Sequence, residues 1–547
     1  MRKQILCLGL TILFLFLVVG CGGMGENQKD ATTSEPADDD TVADDDDNDN
    51  DDDNDVDDDD DDNDDDNDND DDDDNNDNND NNNDDNDDDN DDDDDNTPQT
   101  ACQIIDLTFL PEPDYNSLAK AVQVTTDHPC SLTARISAPD MPGYGVPEQE
   151  SSPVGTKHGF AFFGLVADTE FTVEVYSADE LNSLLGSASF STDPLPIWVS
   201  APDVVEYTGP APSPAADWVV ITHAGQVLLI DREGRVRFYR NVFAPWTYFP
   251  PMSILHVTPD AEIIIAKHDG IWTVRRDGSI EMLYVPNLDD PVFLSYHHQM
   301  YFADDLSFTY SLFNQFGPGF ECDLTTPTNL AVGDGVVRLD VSGREVWRWS
   351  VFDHTDEIPP EDMSPMTCSF FENYFGAGTI NWTHANSVYP VPGEDAVIVS
   401  FRNINRVVKI DTVSGDVLWQ MGPGMDFELE SGSWFSIQHD AQILPNGNLL
   451  LYDNHYAVTP TWSRGLEIAF DETTFEAQIV WESYTGPSAV LGTIDRLDDG
   501  TTLMSTGTAC TVEFADQSGN QIWRGHLPGI LEILHAETLP STWREKD

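Results

Sequence analysis

The sequence predicts an all-β protein, a six-bladed β-propeller preceded by a small immunoglobulin-like β-sandwich. Three observations predict it. A turn phrase built from an Asp, usually a Gly and then a large apolar residue recurs six times after residue 200. A second set of phrases, three of them opening on histidine, recurs ahead of those turns. The stretch before both reads as short β-type runs without a helical period.

The chain starts with Arg2 and Lys3 followed by an apolar run from Ile5 to Val19. That run is too short and too early for a spanning helix and reads as a secretory signal over residues 1–20. It ends in Val18-Val19-Gly20-Cys21, the small-residue pattern cut just before a cysteine that becomes diacylated, so Cys21 is the expected lipidated start of the mature chain. Several acyl chains on one cysteine anchor a protein where one chain could not. Gly22, not Asp, follows, so nothing argues for inner-membrane retention; the expected place is the bacterial cell envelope, at the outer membrane, facing the periplasm or the surface.

Residues 21–100 read as a spacer. Between 38 and 96 the chain is almost entirely Asp and Asn, with 39 aspartates, and cannot bury apolar surface against its own repulsion. Without them the formal charge moves from -79 to about -40, so the remainder is acidic too. Phosphate binding needs a basic face, which excludes nucleic acid as a partner. The run lacks the Gly turns and fixed spacing of a calcium loop, and a solvated spacer is the stronger reading.

Of seven cysteines, Cys7 leaves with the signal and Cys21 takes lipid. Cys102 with Cys130, and Cys322 with Cys368, lie close enough in sequence to pair in an oxidising compartment, which leaves Cys510 unpaired. None has the C-x-x-C spacing of a zinc or redox site. From 101 to 195 the runs AVQVTT, LTARISA, GFAFFGL, FTVEVYS and GSASFST alternate with turn-rich stretches, the pattern of a small antiparallel sandwich.

Residues 200–547 carry the repeats. The turns are DREGRVRF, RRDGSIEM, DVSGREVW, DTVSGDVLW, DETTFEAQIVW and DQSGNQIW. Their last residues, Phe238, Met282, Trp347, Trp419, Trp481 and Trp523, are 44, 65, 72, 62 and 42 residues apart, which suits four-stranded blades with insertions in the middle. Each is expected to plug the gap between neighbouring sheets. The phrases HHQMYFADD, HANSVYPVPGED, HDAQILPNG and GTIDRLDDG should open the innermost strands, which line a propeller's channel. His298, His384 and His439 are thereby expected to meet at one mouth. HAETLP near the end is similar but one residue out of register, so His535 stays outside that set, as does His256.

Arg402, in SFRNINR, lies eighteen residues after His384, where the next strand should return to the same end. Three imidazoles could ligate zinc. An arginine beside them and no carboxylate in the set fit an anion pocket better, with imidazole and guanidinium on the oxygens of a sulfate or phosphate group. No metal and no cofactor are expected.

At these residues the chain resembles a known family. NWTHANSV with SFRNINRVVKIDTVSGDVLW, then FSIQHDAQILPNGNLLLYDN and SRGLEIAFD, is similar to the bacterial arylsulfate sulfotransferases that do not use phosphoadenylyl sulfate. The resemblance covers most of 200–540 and implies transfer of a sulfuryl group from a phenolic sulfate ester to a phenol, by ping-pong kinetics through a sulfohistidine. It implies His439 as nucleophile. His384, Asn386 and Arg402 would hold the sulfuryl oxygens, and His298 would line the site as proton donor to the leaving phenolate. The implied partners are small aryl sulfates and phenols; a homodimer stays open. Gln299 stands where family members often carry an acidic residue, and the family's threonine has only Thr506 or Ser505 as counterparts. A reading from another class is a non-catalytic propeller on a stalk that binds an anionic ligand or a protein. A quinone-dependent dehydrogenase would call for eight blades.

Overall fold

The computed structural model describes residues 102–539 apart from 112–117, 139–145, 151–153, 179–182, 208–217, 224, 243–253, 259–260, 268–269, 286–295, 320–329, 361–377, 456–461, 529 and 531. The expected signal segment, Cys21, the Asp/Asn spacer and the Cys322–Cys368 pair lie outside them. Among the described residues the protein is all-β, with 3-10 turns such as Val351–His354 and Arg402–Ile404 but no α-helix.

Between Ile104 and Ser191 two antiparallel sheets of three and four strands form. Alternate residues of their strands face one core: Val122 and Val124, Leu132 and Ala134, Phe160 and Phe162, Phe171 and Val173 are all buried. That is the period-2 pattern legible in AVQVTT and FTVEVYS. Cys102 and Cys130 are joined in a disulfide. Cys510, expected to be unpaired, is disulfide-bonded as well, so closeness in sequence did not give the whole pairing.

Six further sheets follow among the described residues, antiparallel except where Thr379–Asn381 and Glu428–Leu429 add parallel pairs to the third and fifth. Their innermost strands are His535–Leu539, Ile254–Val257, Tyr296–Phe302, Ala385–Pro390, His439–Ile443 and Thr493–Arg496. The first sheet is completed from the far end of the chain, since His535–Leu539 pairs with Trp218–His223. The sixth gains Val204–Tyr207 on its outer edge. Every sheet touches the next. Val257 N–H donates to Glu537 at 2.6 Å, Tyr284 and Thr309 hydroxyls lie 2.7 Å apart, and Ala385 N–H donates to Asp334 at 2.7 Å. Tyr389 donates to Asp440 at 2.9 Å, Ile494 N–H to Asp440 at 2.7 Å, and the Trp523 indole to the Arg232 carbonyl of the first sheet at 2.8 Å.

The recurring turns have one cause. Asp231, Asp277, Asp340, Asp411, Asp471 and Asp516 each accept a backbone N–H two residues on, the Asx turn that closes a hairpin's outer end. Gly follows at positive φ in five of them, and in DETTFE Phe475 takes that place at φ 56.

The aromatic plugs are partly corrected. Phe238, Trp419, Trp481 and Trp523 are buried, but Met282 is 44% exposed and Trp347 is half-buried. In the third sheet the plug is Trp349, two residues on, on the same strand face as Trp347 but deeper, with its indole N–H on the Gly415 carbonyl of the next sheet at 3.0 Å. Trp481 does the same to Asp516 at 3.3 Å. A methionine has no N–H with which to bridge, and the second sheet leaves it outside.

Candidate active site

His298, His384 and His439 come together. The ring of His298 lies 4.7 Å from that of His384 and 6.5 Å from that of His439, and all three sit where innermost strands begin. The backbone there is irregular: register shifts interrupt pairing between Tyr296 and Met300, Ala385 and Ser387, and His439 and Gln442. His298, His384 and Asp440 take φ values of 57, 51 and 54. Bulges re-aim side chains in this way, and strain of this sort gathers at functional sites.

Each imidazole is fixed by a different neighbour. His439 Nδ1 lies 2.6 Å from Asn454 Oδ1, and the Asn454 amide is itself oriented, because its Nδ2 donates to the carbonyls of Ser488 at 2.9 Å and Leu491 at 2.7 Å. Nδ1 therefore carries the proton and Nε2 the lone pair, an assignment made from partners. The backbone N–H of Leu491, 3.3 Å from Nε2, points at that lone pair. His384 has the opposite tautomer: Asn381 Nδ2 lies 2.6 Å from its Nδ1, so Nε2 bears the hydrogen. His298 Nδ1 faces His297 Nδ1 at 2.9 Å, and His297 Nε2 is 3.0 Å from a carboxylate oxygen of Asp334. The Asn314 amide nitrogen lies 2.8 Å from the same Nε2, so a donor and an acceptor both meet it, and these partners hold the His297–His298 pair in place without selecting one tautomer.

Electrostatics keep the trio neutral. Burial first, then the Arg402 guanidinium, push His439 down to about 3, against the opposing hydrogen bonds that Nδ1–H donates to Asn454 and Ile437. Burial, then Arg402, His297 and His439, hold His384 well below the ordinary value; for His298 the order is burial, His384, His297, His439 and Arg402. Arg402 leaves its strand in a 3-10 turn, its backbone N–H on the His384 carbonyl at 3.2 Å and Nη1 on Asn403 at 2.8 Å. Burial lowers it only to about 10, so it stays cationic near neutrality.

A cavity opens among His298, Asn386, His439, Asp440, Gly492 and His535. Asn386 Nδ2 donates to the Gln438 carbonyl at 2.6 Å, while its buried Oδ1 has no hydrogen-bond partner among the described residues. Gly492 lies at φ +112, and a Cβ there would stand 2.4 Å from the Tyr452 ring. The family profile described as Arylsulfotransferase (ASST) matches residues 210–527, more than half of the chain.

The chain belongs to the arylsulfotransferase family. That membership supports arylsulfotransferase activity in general. No curated protein matches. Similar solved structures include a protein of unknown function from Bacteroides caccae, at 11% identity and TM-score 0.34 over 59% of this chain and 98% of that one. A streptogramin B lyase matches at 11% and 0.32, over 60% and 88%. The periplasmic gluconolactonase PpgL of Pseudomonas aeruginosa matches at 11% and 0.31, over 75% and 99%.

In this arylsulfotransferase family member the sequence-predicted His298, Asn386 and His439 line one cavity, with His384 and Arg402 beside it. Sequence reading missed the residues that orient them. Asp334 is buried in the apolar run AVGDGVV and accepts from Asn314, Thr383 and Ala385 as well as facing His297; a charged residue in such a run was the available signal. Asn454 closes LLLYDN just past an apolar strand, and nothing in that phrase distinguishes it from a turn residue.

Proposed function

We propose that this chain moves a sulfuryl group from a phenolic sulfate ester to a phenol by a ping-pong mechanism through a sulfohistidine at His439. One observation carries the reading: the Asn454 amide commits Nδ1 of His439 and leaves Nε2 as a lone pair in a cavity beside two more imidazoles and a cation. A neutral imidazole is a competent nucleophile, and it divides one hard displacement into two easier ones.

In the first half-reaction Nε2 attacks sulfur, the ester S–O bond breaks and phenolate leaves. Sulfuryl transfer, like phosphoryl transfer, passes through a loose transition state, so donors around the oxygens matter more than a strong base. His384, through Nε2–H, Arg402, and Asn386, through the second hydrogen of its Nδ2, fill that role in this proposal. The Leu491 N–H beside Nε2 is placed to follow the sulfuryl group once it is attached. Phenolates, with a conjugate-acid pKa of about 10, leave far better than alkoxides, which restricts the donor to aryl esters.

The scaffold we infer is a six-bladed β-propeller at residues 200–547, with the six innermost strands around the channel, after a small immunoglobulin-like sandwich at 101–195. The inter-sheet bonds, including the one from Trp523 to the first sheet, and the completion of that sheet by His535–Leu539 support closure. We further infer an envelope protein tethered through Cys21 and held off the membrane by the acidic spacer.

Intact-mass measurement after exposure to 4-nitrophenyl sulfate tests the reading. Gain of one sulfuryl group, lost on addition of phenol and absent in His439→Ala, is the expected result. An unmodified wild-type protein with no turnover would leave the non-catalytic, anion-binding reading standing.

A further inference from the structure

We propose that His535, held by Glu537, is the catalytic residue that exchanges the phenol proton in both half-reactions. The inference rests on the sulfuryl-transfer reading above and assigns the proton that reading leaves without an owner.

His535 opens the C-terminal strand that completes the first sheet and lines the same cavity as His298 and His439. Its Nε2 lies 2.9 Å from Glu537 Oε1, and the other oxygen of Glu537 accepts the Val257 N–H at 2.6 Å, so the carboxylate is clamped between the first and second sheets. A base oriented by a third group is the arrangement a proton-transfer residue needs. With Nε2–H committed to Glu537, Nδ1 is the nitrogen that can give a proton to a bound phenolate or take one from a phenol.

His298, which the family resemblance offers for this task, is poorly suited. Its Nδ1 is engaged by His297, and burial, then His384 and its other cationic and imidazole neighbours, hold its pKa well below the ordinary value, so it is not the cation that a departing phenolate needs. The surroundings of His535 differ in sign. Burial lowers its pKa, but Glu537 on its own strand, Asp440 from the fifth sheet and Asp495 from the sixth outweigh burial and raise it. Burial, the largest influence, would raise the Glu537 carboxyl, but the hydrogen bond and charge of His535, then His256 from the second sheet and the Val257 N–H, hold it below its usual range. One cavity thus holds an imidazole whose pKa is pushed down and another whose pKa is pushed up, and a pair of like groups driven apart in pKa divides into base and acid.

The protons balance. In the first half-reaction the His439 Nε2–S bond forms, the ester S–O bond breaks, and the departing phenolate takes the Nδ1 proton of the His535 imidazolium. In the second, an acceptor phenol returns a proton to neutral His535 as its oxygen attacks sulfur and the N–S bond breaks. Nothing else is consumed.

The test compares kcat/KM for two donors, phenyl sulfate and 4-nitrophenyl sulfate, in wild type and His535→Gln. General-acid help matters most when the leaving group is poor, so His535→Gln should lose roughly 10²-fold with phenyl sulfate and less than about tenfold with the nitrophenyl ester. Equal losses with both donors would overturn the assignment. If His535→Gln does not fold, Glu537→Gln decides: it removes the charge that holds the imidazolium, so the alkaline limb of the phenyl sulfate pH profile should move to lower pH. A limb that stays put overturns the inference. A wild type inactive on both donors instead brings down the sulfuryl-transfer reading beneath it.

Discussion

Asn454 Oδ1 lies 2.6 Å from His439 Nδ1, and both amide hydrogens of Asn454 are spent on the carbonyls of Ser488 and Leu491. The amide cannot turn over without losing two bonds, so the tautomer of His439 is built into the fold at one remove. Replacing Asn454 by Leu keeps the volume and removes the acceptor. Sulfuryl adduct formation at His439 should slow by roughly 10²–10⁴-fold, the scale set by losing the correct tautomer in other imidazole-dependent sites. Asn454→Asp should retain the tautomer and raise the pKa of His439, moving the acid limb of adduct formation to higher pH. Rapid-quench mass measurements across pH 3 to 8 read both effects; an acid limb that does not move would show that Asn454 does not set the protonation of His439.

The three site histidines make an acid-lability prediction with a definite sign. In the folded state His298 and His384 are held well below 6.5 and His439 is pushed to about 3, so the native protein binds fewer protons than the unfolded chain over that interval. Their contribution to stability is complete above about 6.5 and is lost as pH falls toward the folded values. His535, raised instead, works in the opposite sense. A melting curve series from pH 7 to 4 should fall less steeply for His384→Asn than for wild type. Parallel slopes would mean that the imidazoles are protonated without cost.

What could be read from the sequence follows from what each signal encodes. The Asp-led turns are local: a carboxylate accepting the N–H two residues on is decided within one hairpin, and all six stood out as phrases. The convergence of His298 and His439 was legible because their phrases repeat at the start of innermost strands. His535 was set aside because HAETLP is one residue out of step with HDAQILP. Bulges between Tyr296 and Met300 and between His439 and Gln442 break the register the comparison assumed, while the strand His535–Leu539 pairs without one. The orienting groups Asn454 and Asp334 were invisible for another reason. Each acts on a histidine through tertiary contact, and neither periodicity nor composition marks a side chain for that.

Asp334 holds more of the site than any histidine does. It is buried, faces His297 at 3.0 Å, accepts Asn314 at 2.9 Å and the Ala385 N–H at 2.7 Å, and also accepts the Thr383 hydroxyl. Those bonds fix the segment that delivers His384 and the relay that orients His298. Asp334→Ala leaves several buried donors unpaired at about 1–3 kcal/mol each, so the melting temperature should drop by several degrees and activity should fall further than folding explains. Asp334→Asn, which keeps an acceptor but cannot satisfy every donor, should be intermediate. Activity and melting temperature measured on the same preparations check the order; an Asp334→Ala protein with wild-type turnover would detach this residue from the site.

Asp495 supplies a prediction of the reverse sign. Burial, then the nearby Glu537 and Asp440 carboxyls, push it up from 3.8 to about 7. A carboxyl that is harder to ionise in the folded state than in the unfolded chain contributes its stability below about 3.8, and that contribution is lost as pH rises through about 7. Asn is a neutral stand-in for the protonated acid, so Asp495→Asn should be close to neutral for stability at pH 4 and stabilising at pH 8. The same substitution removes one of the charges that raise His535, and on the proton-exchange assignment the alkaline limb with phenyl sulfate should then shift to lower pH. Melting temperature and the pH profile report on separate consequences of one carboxylate. A variant less stable than wild type at pH 8 would mean that Asp495 is paired more favourably than its burial and acidic neighbours imply.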